Sequence, residues 1–277
     1  MHLSGAHIKA SPQEAGPKAG EVSIFPISQA TPATFTDLYF QLTFFYFIEK
    51  GTKRVLSPTQ GEVIGREGDL MIFPPESMVT MENRPVYNNN YRALGVSFTH
   101  DLIKAVFADL PTPRATNGVQ VVRANTHHPA DILTMIQANL DDQTLPAPIR
   151  KHRLLEPLIW LREQGIHLPT QIQDHPISQV RSLIETDLSH PWRTDEVAQH
   201  FAKSQATMRR WLSKTGQGFA KILLNTRLEH GLRLLQTTDT QVSQIALDCG
   251  FKNHSHFSDA FRKRFGIRPK DIRLAAI

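Results

Sequence analysis

Ile245-Ala246-Leu247-Asp248-Cys249-Gly250-Phe251-Lys252-Asn253-His254-Ser255-His256-Phe257-Ser258-Asp259-Ala260-Phe261-Arg262-Lys263-Arg264-Phe265-Gly266 is the stretch of the 277-residue chain whose reading decides the fold. Val242, Ile245 and Ala246 open it as a short helix. Gly250 stops that helix as a C′ glycine, the position that calls for left-handed backbone. Phe251 follows as an apolar insert. From Asn253 to Arg264 a second helix turns Phe257, Phe261 and Phe265 inward and leaves Lys252, Asn253, His254, Ser255, His256, Asp259 and Arg262 outward. Gly266 and Pro269 close it. A short helix, a tight turn and a second helix with a polar outer face make a helix-turn-helix unit.

Reading backwards, a long amphipathic helix (Phe219, Ile222, Leu223, Leu228, Leu232, Leu235) precedes this unit. Before it the arrangement appears once already. Val180, Leu183, Ile184 and Leu188 form a stripe ended by Pro191. Thr194 is the expected N-cap of the next helix, which runs to about Phe201-Ala202. Ser204 is the expected cap of the one after, with Met208, Trp211 and Leu212 inward and Ser204, Gln205, Ala206, Thr207, Arg209 and Arg210 on or beside the outer face.

The charge follows the same division. From Pro176 to Ile277 there are 16 Lys/Arg and 9 Asp/Glu, a net of +7, whereas the rest of the chain is net −2. A positive excess confined to one half is what a polyanion partner requires, although a solvated basic surface has the same composition.

With these positions in view, Ile245-Ala246-x-x-x-Gly250-Phe251, Phe257, Phe261-Arg262, Gly266, Pro269 and Arg273 resemble the signature of the AraC/XylS family of transcriptional regulators. Ala198, Ser204, Met208, Arg210, Gly216, Phe219 and Arg227 are in register with its first unit. The likeness covers about residues 177–273 without a gap. Two departures are Ile272 in place of an aromatic and Gly231 in place of an alanine, the latter weakening a helix by about 1 kcal/mol.

The resemblance implies double-stranded DNA as partner, RNA polymerase as the target of activation, and two recognition helices entering successive major-groove segments. Arg209 or Arg210 then suits guanine O6/N7 and Asp259 suits cytosine N4. The other reading of either arginine is a phosphate contact, and of Asp259 the orienting of a neighbouring arginine.

Upstream the pattern changes. Residues 1–20 read as a loose tail, 21–165 as a sensor or dimerisation domain, 166–176 as a linker and 177–277 as the helical DNA-binding domain, giving an α+β fold class. Leu42-Thr43-Phe44-Phe45-Tyr46-Phe47-Ile48 and Leu70-Met71-Ile72-Phe73 are runs of strand formers between glycine turns, as in a small β-barrel or sandwich. Gly51-x-x-Arg54-Val55 and Glu67-Gly68-Asp69-Leu70-x-x-x-Pro74 resemble the cupin-like barrels attached to this family. Helical spacing then returns at Leu102, Ile103, Val106 and Phe107, with Pro111 and Pro113 after it. It recurs at Ile132, Leu133, Ile136 and Leu140, and again at Leu154, Leu155, Leu158, Ile159 and Leu161. Helices over 130–165 read first as core and second as a homodimer face.

The overall length and the stretch around Pro191-Trp192-Arg193 resemble the branch of the family containing ToxT, Rns and GadX, some of whose members hold a fatty acid between the two domains. By that resemblance the barrel side of a carboxylate clamp falls at Arg54, with Lys53 adjacent, and the helix side at Gln236, which lacks charge. A small hydrophobic or carboxylate effector is thus one expected signal, and a partner protein acting on an empty barrel the other.

No catalytic constellation, cofactor motif or metal set is apparent. Between Glu21 and Thr99 there is no histidine, and His254 and His256 diverge on a helix. Cys249 is the single cysteine and reads as a small buried apolar residue. There is no apolar run of membrane-spanning length and no signal-peptide pattern, so the chain reads as cytoplasmic.

Overall fold

The computed structural model describes residues 22–57, 60–86, 89–110, 118–141, 144–170 and 175–273. The expected tail (1–20) and the prolines at 111 and 113 lie outside them.

Among the described residues nine strands form two antiparallel sheets: β1 (Val22–Gln29), β2 (Ala33–Phe40), β3 (Thr43–Lys50), β4 (Thr52–Ser57), β5 (Gly61–Gly65), β6 (Leu70–Phe73), β7 (Ser77–Arg84), β8 (Tyr91–Phe98) and β9 (Gln120–Val122). One sheet has the order β1-β8-β3-β6-β9 and the other β2-β7-β4-β5. The uninterrupted apolar run of β3 has a direct cause. Successive side chains of a strand point to opposite faces, and here both faces are covered. Tyr46 and Ile48 enter the space between the sheets with Val55, Met71 and Phe73, whereas Phe45 and Phe47 enter a second core with Leu70, Ile72, Val96 and Phe98.

That second core is closed by helices: α1 (His100–Phe107), the single turn α2 (Ala124–His127), α3 (Pro129–Asp141), α4 (Ala147–Arg153) and α5 (Glu156–Glu163). Ile132, Ile136, Leu154, Leu158 and Leu161 are spent inside it, which leaves Ile149 and Ile159 exposed on that side. Asp69, beside the Gly68 turn, is buried and accepts from Arg66 N, Ala124 N and Arg123 Nη1, tying the sheet to the helices. Leu168 is also buried in this core.

The remaining elements are helical: α6 (Pro176–Thr186), α7 (Thr194–His200), α8 (Gln205–Ser213), α9 (Phe219–Thr237), α10 (Val242–Asp248), α11 (His254–Phe265) and a closing 3-10 turn (Pro269–Ile272). No helix among the described residues is long and apolar enough to cross a membrane. Val180, Ile184, Val197, Met208, Leu212 and Ile222 make one cluster around the first helix-turn-helix unit. Leu228, Leu232, Ile245, Phe257, Phe261 and Phe265 belong instead to a cluster continuous with the space between the sheets.

Candidate nucleic-acid interface and interdomain pocket

Two helix starts fix the orientation of α8 and α11. Ser204 caps α8, its Oγ accepting from Thr207 N at 3.2 Å, and Asn253 caps α11, its Oδ1 accepting from His256 N at 2.9 Å. At α7 the expected cap is displaced by one residue: Thr194 is the first helical residue and Arg193 holds the cap position without a side-chain bond. The turn between α10 and α11 needs its glycine. Gly250 has φ +74°, and a Cβ there would lie 2.3 Å from the Leu188 carbonyl oxygen. Phe251 N then donates to Ala246 O, closing the helix end.

Met208 and Leu212 on α8, and Phe257, Phe261 and Phe265 on α11, are buried, and this rotates the other faces outward. Ser204, Gln205, Ala206, Thr207, Arg209 and Arg210 are all exposed, as are Lys252, Asn253, His254, Ser255, His256, Asp259 and Arg262. Arg209, Arg210, Lys252 and Arg262 form no ion pair with other described residues, so their charge is available to an anion. Asp259 is likewise unpaired among them.

Two arginines of the signature do other work. Arg273 places its guanidinium over the end of α9 and donates to the carbonyls of Leu234, Leu235, Thr238 and Thr240. Arg227 donates to the carbonyls of Leu188 and His190. Both fasten turns and neither faces the open surfaces of α8 and α11. Cys249 is buried, and burial pushes its thiol up to about 12.

The helical half meets the sheet domain chiefly through β1, β2 and the turn between them. Ala30 N donates to Ile272 O at 3.1 Å, and Thr31 Oγ1 to Asp271 O at 3.0 Å. The Phe35 ring packs edge-on to Phe265. Tyr39 Oη is hydrogen-bonded to Ser178 Oγ, and Gln41 Nε2 donates to Ser182 Oγ. Between the halves lies a cavity of about 320 Å³. Its apolar part is made by Phe25, Ile27, Phe40, Leu42 and Phe44, and its polar part by Arg181, Glu229, His230, Arg233 and Gln236. His230 Nδ1 faces Arg233 Nη2 at 2.8 Å, and burial, reinforced by that guanidinium, pulls the imidazole down to about 4. Gln41 Oε1, Arg181 Nε and Glu229 Oε1 are buried without a hydrogen-bond partner among the described residues.

Of the three expected effector residues, Gln236 alone lines this cavity. Arg54 is turned to the outside, where Glu62 at 2.5 Å and Glu82 at 3.7 Å hold it. Alternation along β4 sends Lys53 inward instead, where it is fully buried. Its Nζ donates to Asn83 Oδ1 at 2.5 Å and lies 4.0 Å from the Tyr46 ring centroid. Burial without a carboxylate partner pulls this ammonium down to about 7. Asn83 Nδ2 donates in turn to Gln29 Oε1, which also accepts from Gln236 Nε2 at 3.2 Å. Lys53 and Gln236 are therefore linked through two side-chain amides rather than placed across a ligand carboxylate. The strand alternation could have distinguished Lys53 from Arg54. The aromatic wall of the cavity had no separate signal, because its residues read as ordinary strand formers.

Residues 197–275 match a family described as a helix-turn-helix domain. Among similar proteins, the urease operon transcriptional activator of Escherichia coli is 29% identical over 132 residues, 46% of this chain and 45% of that protein. The regulator YdeO of Shigella flexneri is 32% identical over 34% of this chain and 37% of its own length. The dual regulator Rns of Escherichia coli is 36% identical over 34% of this chain and 36% of its own length. The chain thus spans less than half the length of these curated relatives. Across the whole molecule, the crystal structure of ToxT from Vibrio cholerae O395 aligns with a TM-score of 0.64 at 13% identity, covering 91% of this chain and 96% of that one. ToxT bound to an unsaturated fatty acid aligns with a TM-score of 0.63 at 12% identity, covering 92% of this chain and 97% of that one. The chain thus carries a helix-turn-helix domain over residues 197–275, similar to that part of these transcriptional regulators, within a ToxT-like overall fold.

Proposed function

We propose that this chain is a sequence-specific DNA-binding transcriptional regulator and an activator, with α8 and α11 as its two recognition helices. The observation that carries the reading is the exposure, on and beside two capped helices, of all thirteen outward positions, with four cations among them that form no ion pair with other described residues. The relatives with printed roles in transcription support the same class. Most of the affinity then comes from phosphates, and specificity from a few side chains at base edges.

We further propose that a small molecule with an apolar body and a polar end occupies the cavity between the halves and changes the population able to seat both helices on DNA. A fatty acid fits the apolar wall, and its carboxylate has Arg233 and His230 within the polar part rather than the Arg54 side. Control by a partner protein alone is the second reading, supported by Ile149 and Ile159, exposed on the helices of the sheet domain.

The test is binding of the purified chain to fragments of its own upstream region across a salt series, with and without a long-chain fatty acid. Specific, salt-sensitive binding that the fatty acid weakens supports both proposals. Specific binding indifferent to it retains the regulator and rejects the fatty acid. The absence of any specific binding rejects the regulator.

A further inference from the structure

We infer that Glu229 sets the angle between the two helix-turn-helix units and is a positioning residue for the DNA contacts proposed above, a reading on which its functional consequence rests. Glu229 lies on α9, buried to 9% side-chain exposure. Its Oε2 accepts from Arg181 Nη2 of α6 at 2.7 Å. Its Oε1 is 3.6 Å from Arg264 Nη2, near the end of α11. One carboxylate on the connecting helix therefore stands between a guanidinium from the first unit and a guanidinium from the second.

Within the helical half, apolar packing joins the two units through α9 alone, which gives Phe219 and Ile222 to one cluster and Leu228, Leu232 and Leu235 to the other. The first unit's buried residues form one cluster and the second unit's another. Apolar contact is also non-directional, so it tolerates small rotations that the hydrogen-bonded Arg181–Glu229 pair does not, while the Arg264 contact at 3.6 Å adds charge attraction without a hydrogen bond. Arg227 ties α9 to the segment before α7 and lies against Gly250 of the second unit, but its hydrogen bonds go only to Leu188 and His190 of the first.

Arg264 carries the link onward. Its Nε donates to Asn225 Oδ1 at 3.1 Å, its Nη1 to Thr36 Oγ1 at 2.8 Å, and its Nη2 to Asp37 O at 3.2 Å. Thr36 and Asp37 form the bulge that interrupts the β2–β7 register, where Asp37 has φ +49°. On the far side of the bulge, Tyr39 places its ring 5.2 Å from the Arg181 guanidinium. The strand that contacts both arginines also lines the cavity, as do Arg181 and Glu229 themselves. An effector there touches the joint directly.

The experiment uses the full chain in two measurements. The first reads geometry without DNA. In a Cys249→Ala background, spin labels at Lys214→Cys after α8 and Lys263→Cys on α11 report the distance between the units by pulsed electron paramagnetic resonance. Both lysines are exposed. The expected result is one narrow distribution, which Glu229→Gln broadens or shifts by several ångströms and Glu229→Asp partly restores. An unchanged distribution in Glu229→Gln overturns the inference. If that variant does not fold, Arg264→Lys, which keeps the charge but loses the fork, is read by the same criterion.

The second measurement compares a two-site duplex with one lengthened by one base pair between the half-sites. The wild type is expected to lose about tenfold in affinity, and Glu229→Gln to lose most of that discrimination while still binding a single half-site. An equal spacing penalty in both proteins overturns the inference. If the wild type binds no duplex specifically, the DNA reading fails, and the distance measurement still decides the role of Glu229 in the joint.

Discussion

Gly231 on α9 presents a bare Cα to the ring of Phe257 on α11: a Cβ there would lie 2.7 Å from Cε2 and 2.8 Å from Cζ. The ring is fully buried and cannot retreat freely. The exchange Gly231→Ala would gain about 1 kcal/mol of helix propensity and incur about 1–3 kcal/mol of overpacking. A net loss of about 1 kcal/mol is expected, read as a lower urea midpoint at unchanged slope. A higher midpoint would show that the ring can move aside. What looks like a defect in the sequence of the connecting helix is the complement of an aromatic ring on the next one.

The end of α9 should depend on Arg273. Its four carbonyl contacts satisfy groups that a helix terminus otherwise leaves to solvent. Charge-assisted bonds contribute about 1.5–3 kcal/mol each, but these share one partly exposed guanidinium and do not add. Arg273→Ala should cost about 2–3 kcal/mol in chemical denaturation, with Arg273→Lys intermediate. Loss of stability below about 0.5 kcal/mol would mean that water replaces the guanidinium without penalty.

Stability should rise with pH because of Lys53. Folding lowers its pKa from 10.5 to about 7. Between those values the unfolded chain holds a proton that the folded chain lacks, so raising the pH favours the fold, by roughly 1 kcal/mol per pH unit. Below about 7 the penalty is present in full. The Cys249 thiol acts oppositely above pH 9, since burial moves it from 9.0 to about 12 and the fold then retains a proton that the unfolded chain releases. The clean window is therefore pH 7 to 9. Thermal midpoints of the wild type should climb across it relative to Lys53→Met, and parallel profiles would refute a buried, easily neutralised amine.

Salt dependence separates charge from base reading at α8, the first of the two proposed recognition helices. Each phosphate contact contributes about 0.9 to the slope of log affinity against log salt. Replacing Arg209 and Arg210 together with alanine should lower the slope by up to about 1.8 if both meet phosphates. If one reads a guanine instead, the slope falls less and discrimination at one base pair is lost. A double variant with unchanged specific binding would remove α8 from the interface.

The helical half was legible in its sequence because a helix-turn-helix unit writes its constraints locally. Gly250, Ser204 and the Phe257-Phe261-Phe265 spacing each state a backbone or packing demand within a few residues. Thr194 missed by one position because two neighbouring residues compete for a helix start. The double-covered β3 is readable as a strand and the helices over 130–165 as core, but not that these helices lie against β3, since alternation along a strand says which residues share a face and not what lies against it. The resemblance favours Arg54 over Lys53, whereas the pleat of β4 determines which of two adjacent cations enters the interior. The joint at Glu229 left no local mark at all. Its partners are separated by 48 and 35 positions in the chain, and only the folded arrangement brings them to one carboxylate.

The apolar cluster that runs without a break from Ile27 and Phe35 in the sheets to Phe265 and Ile272 at the far end of the chain bears on protein engineering. Chimaeras that graft a foreign sensor onto the DNA-binding half would strip Phe265 and Ile272 of their cover and leave the carbonyls of Asp271 and Ile272 without the donors at Ala30 and Thr31. A workable graft would have to import the β1–β2 corner along with the helices, so the useful seam for recombination lies inside the sheet domain and not at the stretch between the halves.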